Sequence, residues 1–253
     1  HSCISFTSPD ISLDFGGFAK GYALKKIRRF IEQENISDAF ANFGNSSILG
    51  IGHHPYGDCW KVSFLNPYNQ SLLKEFDLQD TALSTSGNTL QYTGHIMNPL
   101  TGLFNEQRKA SSIISTDPLE AEILSTVWMI ANKEQQQLLT ENFKDIQATL
   151  YNMKDNKKEG VDLGLRQFIK SLGYVAGGTA LLATTPWLTS CTPEKLKEIK
   201  HEKARIALIG TGSRGQYHIH NLKEIPHAQI VAVCDNYAPN LQQALELCPD
   251  AKS

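Results

Sequence analysis

The sequence predicts an α+β domain over residues 1–152, then a signal-like apolar linker over 153–200, then an incomplete α/β unit of the βαβ type over 201–253. Three observations carry this reading. The first region mixes helical spacing with short strand-like runs, and the connections are too short for crossover helices, so its strands pair antiparallel. The second has the order of a secretory signal: charged, then apolar, then small residues. The third reads strand, glycine-rich turn, helix, strand.

Composition narrows the function before any motif is read. Hydrophobic residues are 41% and charged residues 20% of the 253, which suits a chain with a buried core. The formal net charge of −2 leaves no basic excess to neutralise phosphates, so no nucleic-acid partner is expected. The five cysteines (Cys3, Cys59, Cys191, Cys234 and Cys248) are scattered, with no Cys-x-x-Cys pair, which argues against a zinc ribbon or a disulfide scaffold.

In the first region a helix is expected over 17–33, where Ala19, Tyr22, Ala23, Ile27, Phe30 and Ile31 recur at three- and four-residue spacing. Strand-like runs follow at 39–42, 47–50, 60–65, 76–78, 95–97 and 111–115, separated by Gly, Pro and Asn clusters such as 52–57 and 66–69. Further helices are expected over 118–132 and 133–143.

In the second region Met153 opens the charged stretch Lys154-Asp155-Asn156-Lys157-Lys158-Glu159, and an uncharged run extends over 171–191. Its end, Leu188-Thr189-Ser190-Cys191, fits a lipobox, in which the cysteine is lipidated after cleavage. Arg166-Gln167-Phe168-Ile169-Lys170 is similar to a twin-arginine export signal, with Leu165 where the first arginine should stand. A signal belongs at an N-terminus. The economical reading is therefore two adjacent reading frames joined into one chain, the second starting at Met153. The alternatives are a buried core helix, or a membrane anchor at 171–191 that Gly173, Gly177, Gly178 and Pro186 weaken as a helix.

In the third region strands are expected at 205–209 and 229–234 and helices at 216–223 and 239–247. Gly210-x-Gly212-x-x-Gly215 follows the first strand and opens a helix, and Asp235 ends the second strand 20 residues after Gly215. This is the dinucleotide-binding fingerprint of a Rossmann unit: the pyrophosphate rests on the helix N-terminus and Asp235 takes the ribose hydroxyls, favouring NAD over NADP. Two parallel strands cannot bury both faces of a sheet, so this piece is expected to be poorly stable alone. The stretch from Ala207 to His218 resembles the start of the Gfo/Idh/MocA oxidoreductases, whose exported members include NAD-dependent glycosidases.

The chemistry of the first region begins at Asp14-Phe15-Gly16-Gly17-Phe18-Ala19-Lys20-Gly21. Glycines admit close backbone approach, a helix start attracts an anion, and Lys20 adds a point charge. The same residues also suit a plain helix start. Four further motifs follow in order: Asn42-Phe43-Gly44-Asn45-Ser46-Ser47, Ala82-Leu83-Ser84-Thr85-Ser86-Gly87, His95-Ile96-Met97-Asn98-Pro99-Leu100-Thr101-Gly102, and Asp117 through Thr126. Glu122 and Thr126 lie four residues apart on one helix face, an arrangement that suits a hard cation or an ordinary helix start.

Over about residues 10–150 this series resembles the C-terminal half of the ApbE family of FAD:protein FMN transferases, without that family's N-terminal half. The resemblance implies a T-fold-like domain. It implies Mg²⁺ and FAD, with FMN transferred to a threonine hydroxyl of an acceptor flavoprotein subunit and AMP released. By motif position the Gly17 carbonyl, Glu122 and Thr126 would ligate Mg²⁺, Asp14, Lys20 and the Met97 backbone would contact FAD, and His95 would handle the proton. Tyr92 and Trp128 are expected to pack rather than stack on flavin. The sequence departs from the family at Glu122 and at Asn98, each standing where Asp is usual. The ApbE resemblance and the twin-arginine-like signal both point to the periplasmic side of the bacterial inner membrane, with lipid anchoring through 171–191. Two other functions stay open: an exported NAD-dependent oxidoreductase or glycosidase defined by the C-terminal segment, and an inert fusion fragment that only binds nucleotide.

Overall fold

The computed structural model describes residues 5–11, 13–89, 93–143, 145–154, 157–159 and 203–253. The apolar run 171–191, its lipobox-like end and Tyr92 lie outside these residues. The chain divides into two compact units, residues 1–179 and 180–253.

In the first unit, α1 (Ala19–Gln33) follows a turn at Gly16–Gly17, and the Phe18 and Ala19 N–H groups both donate to the Phe15 carbonyl at 3.1 and 2.9 Å. β1 (Ala39–Phe43) and β2 (Ser47–Ile51) form a hairpin whose turn places Gly44 and Asn45 at φ of about +62°, the conformation that Gly and Asn adopt most cheaply. β3 (Trp60–Leu65) and β4 (Leu72–Leu78) form a separate two-stranded sheet. β5 (Thr81–Gly87), β6 (Lys109–Ser115), β7 (Gln147–Asn152) and β8 (Lys157–Glu159) complete a six-stranded sheet in the order β1-β2-β5-β6-β7-β8. Every neighbouring pair in it is antiparallel. The β6–β7 connection carries α2 (Pro118–Ile130) and α3 (Lys133–Asn142).

Strand parity sorts the core into two layers. Leu49, Ile51, Ala82 and Ile113 face the helices and pack with Leu24, Ile31, Leu124 and Trp128. Their neighbours Ile48, Leu83 and Ile114 face the opposite way and pack with Phe76 and Leu78 of the β3–β4 hairpin. The central strands are therefore covered on both faces, which is why β2 is buried throughout instead of alternating. Trp128 is 3% exposed within the helix-side core, a packing residue as expected.

Several expectations are corrected. Residues 95–97 form a loop, not a strand: only Met97 pairs, in an isolated antiparallel bridge to Phe104. The run at 76–78 is the end of a seven-residue strand, because Leu72, Leu73 and Lys74 continue its pairing onto β3. Residues 81–87, read only as a motif, are a central strand. The helix expected to end at 132 ends at Ile130, because Asn132 caps α3 in a reciprocal capping box with Gln135.

α2 begins where its sequence permits. Asp117 accepts the Leu119 N–H at 2.9 Å as N-cap, and Pro118 occupies the first turn, where no N–H is needed. Lys25 of α1 pairs with the same carboxylate. Burial pushes the Asp117 carboxyl up, but the Lys25 ammonium and the Leu119 N–H together hold it below the usual range.

In the second unit β9 (Ala204–Ile209) and β10 (Ala228–Cys234) pair in parallel, joined by α4 (Ser213–Lys223) and followed by α5 (Ala238–Leu247). α4 starts three residues earlier than expected, with Gly212 as N-cap, so Gly215 lies inside its first turn. Ile219, Val233, Ala244 and Cys248 form the small core, while Ile209 stays 68% exposed. Among the described residues no helix is long and apolar enough to cross a membrane.

Candidate active site

The site in the first unit grows from a break in apolar patterning. On the helix-facing parity of the sheet, Ser47, Ser84, Ser86 and Ser111 stand where β2, β5 and β6 otherwise carry Leu, Ala and Ile. Ser47 pairs with Ser84 across β2–β5, and Ser86 pairs with Ser111 across β5–β6. The four hydroxyls make one polar strip beneath the first two turns of α2.

α2 lowers Glu122 onto that strip. Its carboxylate is 6% exposed, and Oε2 accepts from the Ser47 hydroxyl and, at 2.8 Å, from the Ser84 hydroxyl. Oε1 lies 3.1 Å from the Lys20 ammonium, which also donates to Ser46 Oγ at 2.5 Å. A buried carboxylate needs a counter-charge and satisfied lone pairs, and this one has both. One turn later, Thr126 Oγ1 lies 3.1 Å from Ser86 Oγ, which in turn lies 2.8 Å from Ser125 Oγ. Ser125 is also 3.1 Å from Ser84, so hydroxyls connect Thr126 to Glu122 without a gap.

Close helix packing makes this possible. A Cβ at Gly21 would fall 2.5 Å from Glu122 Cβ and 2.6 Å from the Pro118 carbonyl. Only a glycine lets α1 come this near to α2 and bring Lys20 within reach of Glu122.

The structure thus brings Lys20, Glu122 and Thr126 together. Gly17 lies in the exposed turn three residues before Lys20, and Asp14 accepts the Gly16 N–H at 2.7 Å in that same turn. His95 and Met97 lie on the 93–105 loop. That loop is tied to the far end of α2 by Asn105, whose side-chain amide donates to the Met129 carbonyl at 2.6 Å. Seven residues of helix put this anchor about 10 Å along the axis from Glu122. Sequence reading quotes Ser46, Ser47, Ser84, Ser86 and Ser125 within its motifs but gives them no role, and reads Ser111 only as part of a strand. The signal for Ser47, Ser84, Ser86 and Ser111 is hydroxyls at alternate positions of otherwise apolar strands, legible only once 81–87 is recognised as a strand; Ser46 stands in the turn before β2 and Ser125 on α2.

The donor set suits a hard divalent cation. Among the described residues no three His, Cys, Asp or Glu side chains gather as a metal cluster. Around Glu122 there is one carboxylate, several neutral oxygens and no sulfur or imidazole, a set like those of Mg²⁺ sites completed by water and substrate phosphate. The Lys20 ammonium beside Oε1 shows that this carboxylate accepts a cation from the Lys20 side.

In the second unit Gly210 adopts φ +83°, and a Cβ at Gly215 would lie 2.2 Å from the Gly210 carbonyl oxygen. With Gly212 capping α4, the three glycines form one tight turn. Asp235 braces it: Oδ2 accepts the Thr211 N–H at 2.6 Å, and Oδ1 accepts the Tyr237 N–H at 2.9 Å. These two backbone donors, Tyr237 first, hold the Asp235 carboxyl below its usual range.

A three-layer α+β domain with an acidic, hydroxyl-lined site between two helices and a sheet defines the class of the first unit. The fold resembles that of the Flavin Transferase ApbE from Vibrio cholerae, with a TM-score of 0.53 at 20% identity over 62% of this chain and 53% of that one. The ApbE family model matches residues 2–150, and the chain belongs to the ApbE family. It is similar to an FAD:protein FMN transferase of Klebsiella pneumoniae, 26% identical over 129 residues, 47% of this chain and 39% of that protein. The chain thus spans about two fifths of the length of that curated relative. A second similarity, 38% identity over 76 residues, is to a glycosyl hydrolase family 109 protein of Parabacteroides distasonis, covering 28% of this chain and 16% of that protein.

Proposed function

We propose that the first unit takes part in Mg²⁺-dependent transfer of FMN from FAD to a threonine hydroxyl of an acceptor flavoprotein. The observation that carries this reading is the buried Glu122 carboxylate, set among hydroxyls and Lys20 one turn beyond the Gly16–Gly17 turn. Family membership supplies the reaction class.

Glu122 and Thr126 would hold the cation, with the Gly17 carbonyl contributing from the α1 turn. When bound, the divalent cation neutralises pyrophosphate charge, the main demand of phosphoryl-type transfer. Lys20 would pair with the phosphates, and Asp14 and the Met97 backbone would contact FAD. His95 would accept the hydroxyl proton as the acceptor oxygen bonds to the FMN phosphorus. The bond from that phosphorus to the bridging oxygen breaks, and AMP leaves with the electron pair. Export to the periplasmic side with lipid anchoring through 171–191 belongs to the same reading.

Calorimetry on the full chain tests it. FAD is expected to bind saturably with Mg²⁺ and at least tenfold more weakly with EDTA, about 1.4 kcal/mol. Absent or Mg²⁺-indifferent binding sinks the transferase reading and leaves the inert-fragment alternative standing.

A second reading concerns the second unit. The Gly210–Gly215 turn at the start of α4, between parallel strands, favours dinucleotide binding there. NAD titration of the full chain, followed by tryptophan and tyrosine fluorescence, is expected to saturate, with NADP weaker because Asp235 repels a 2′-phosphate. A linear, unsaturable response to NAD would remove this reading.

A further inference from the structure

Lys20 and Glu122 raise a problem that the reading above, on which this inference rests, does not solve: both the ammonium and a divalent cation claim the same carboxylate. Oε2 is taken by two serine hydroxyls, so Oε1, 3.1 Å from Lys20, is the oxygen left to ligate. A dication there would stand within contact distance of an ammonium, and like charges so placed repel strongly. The two sides of the pair also differ in freedom. Glu122 is 6% exposed and pinned by Ser47 and Ser84, whereas the Lys20 side chain is 38% exposed on a flexible stem. The partner that can leave is Lys20.

We propose that Lys20 is the exchangeable counter-ion of Glu122. Its ammonium compensates the buried carboxylate in the metal-free protein, is displaced by the entering divalent cation, and is thereby released to pair with the dinucleotide phosphates. Lys20 is a positioning residue that couples the two ligands: metal binding frees the phosphate-binding charge, and phosphate binding removes the competitor of the metal. Such linkage is reciprocal, each ligand tightening the other by the same factor, and factors of this kind run from about 5- to 150-fold.

The experiment measures Mg²⁺ alone, FAD alone and FAD at saturating Mg²⁺ by calorimetry on the wild-type full chain and on Lys20→Gln. That variant keeps a hydrogen-bond donor toward Glu122 and Ser46 but no charge. Mg²⁺ alone is expected to bind the variant about fivefold or more tightly than wild type. FAD at saturating Mg²⁺ should bind the variant more weakly, and the ratio of FAD affinities with and without Mg²⁺ should shrink toward one. A second measurement needs no variant: amine acylation of Lys20, read by peptide mass, should speed up when Mg²⁺ is added to the wild type. Unchanged or weaker Mg²⁺ binding by Lys20→Gln, or Mg²⁺ binding that leaves Lys20 acylation unaltered, overturns the exchange while the transferase reading survives. Wild type that binds neither Mg²⁺ nor FAD overturns both.

Discussion

Glu122→Gln is expected to bring FAD affinity at saturating Mg²⁺ down to its Mg²⁺-free level. Glutamine keeps the volume of the side chain and an oxygen that can still accept from Ser84, but it has no charge to offer a cation. The loss is then the whole Mg²⁺ contribution, tenfold or more in Kd, about 1.4 kcal/mol at the least. Calorimetry with and without Mg²⁺ checks this, and circular dichroism separates it from unfolding. A Glu122→Gln protein that keeps wild-type Mg²⁺-dependent FAD affinity takes Glu122 out of the metal shell.

Gly21→Ala should produce the largest loss of stability. Its new methyl would meet Glu122 Cβ at 2.5 Å and the Pro118 carbonyl at 2.6 Å, and neither can swing away, because one is the root of a pinned side chain and the other is backbone. α1 must then move off α2. Overpacking of this kind costs about 1–3 kcal/mol, here toward the upper end. At about 2–4 °C per kcal/mol for a domain of this size, Tm should fall by about 6–12 °C. The control is Gly17→Ala, where a Cβ meets nothing within 4 Å and the effect should stay within about 0.5 kcal/mol. Equal Tm values for the two variants by scanning calorimetry would show that close α1–α2 packing is not what holds the site together.

Most of the architecture was legible in the residue order. α1, α3, β1, β2 and β3 fall within about two residues of the expected spans because their apolar spacing and their Gly and Asn punctuation are local signals. β5 was not seen as a strand: Ala82 and Leu83 are its only large or apolar consecutive residues, and the serines after them read as motif rather than as one face of a sheet. The loop at 95–97 failed in the opposite sense, since an apolar triplet has no local mark that distinguishes a strand from a loop held by one bridge.

Glu122, Thr126 and Lys20 were marked out by motif order along the chain, and so was their chemical kind: one carboxylate, one hydroxyl and one ammonium. Their meeting was not. Lys20 and Glu122 are 102 residues apart and touch only because Gly21 has no side chain and because β2 and β5 lie side by side in the sheet, presenting Ser47 and Ser84 to the same carboxylate oxygen. Periodicity and caps are written in neighbouring residues, so the chain alone determines its helices, most of its strands and the types of its functional groups. Which charge neutralises which, and which hydroxyls line the space between them, depends on strand register and helix approach, and only the tertiary structure decides those.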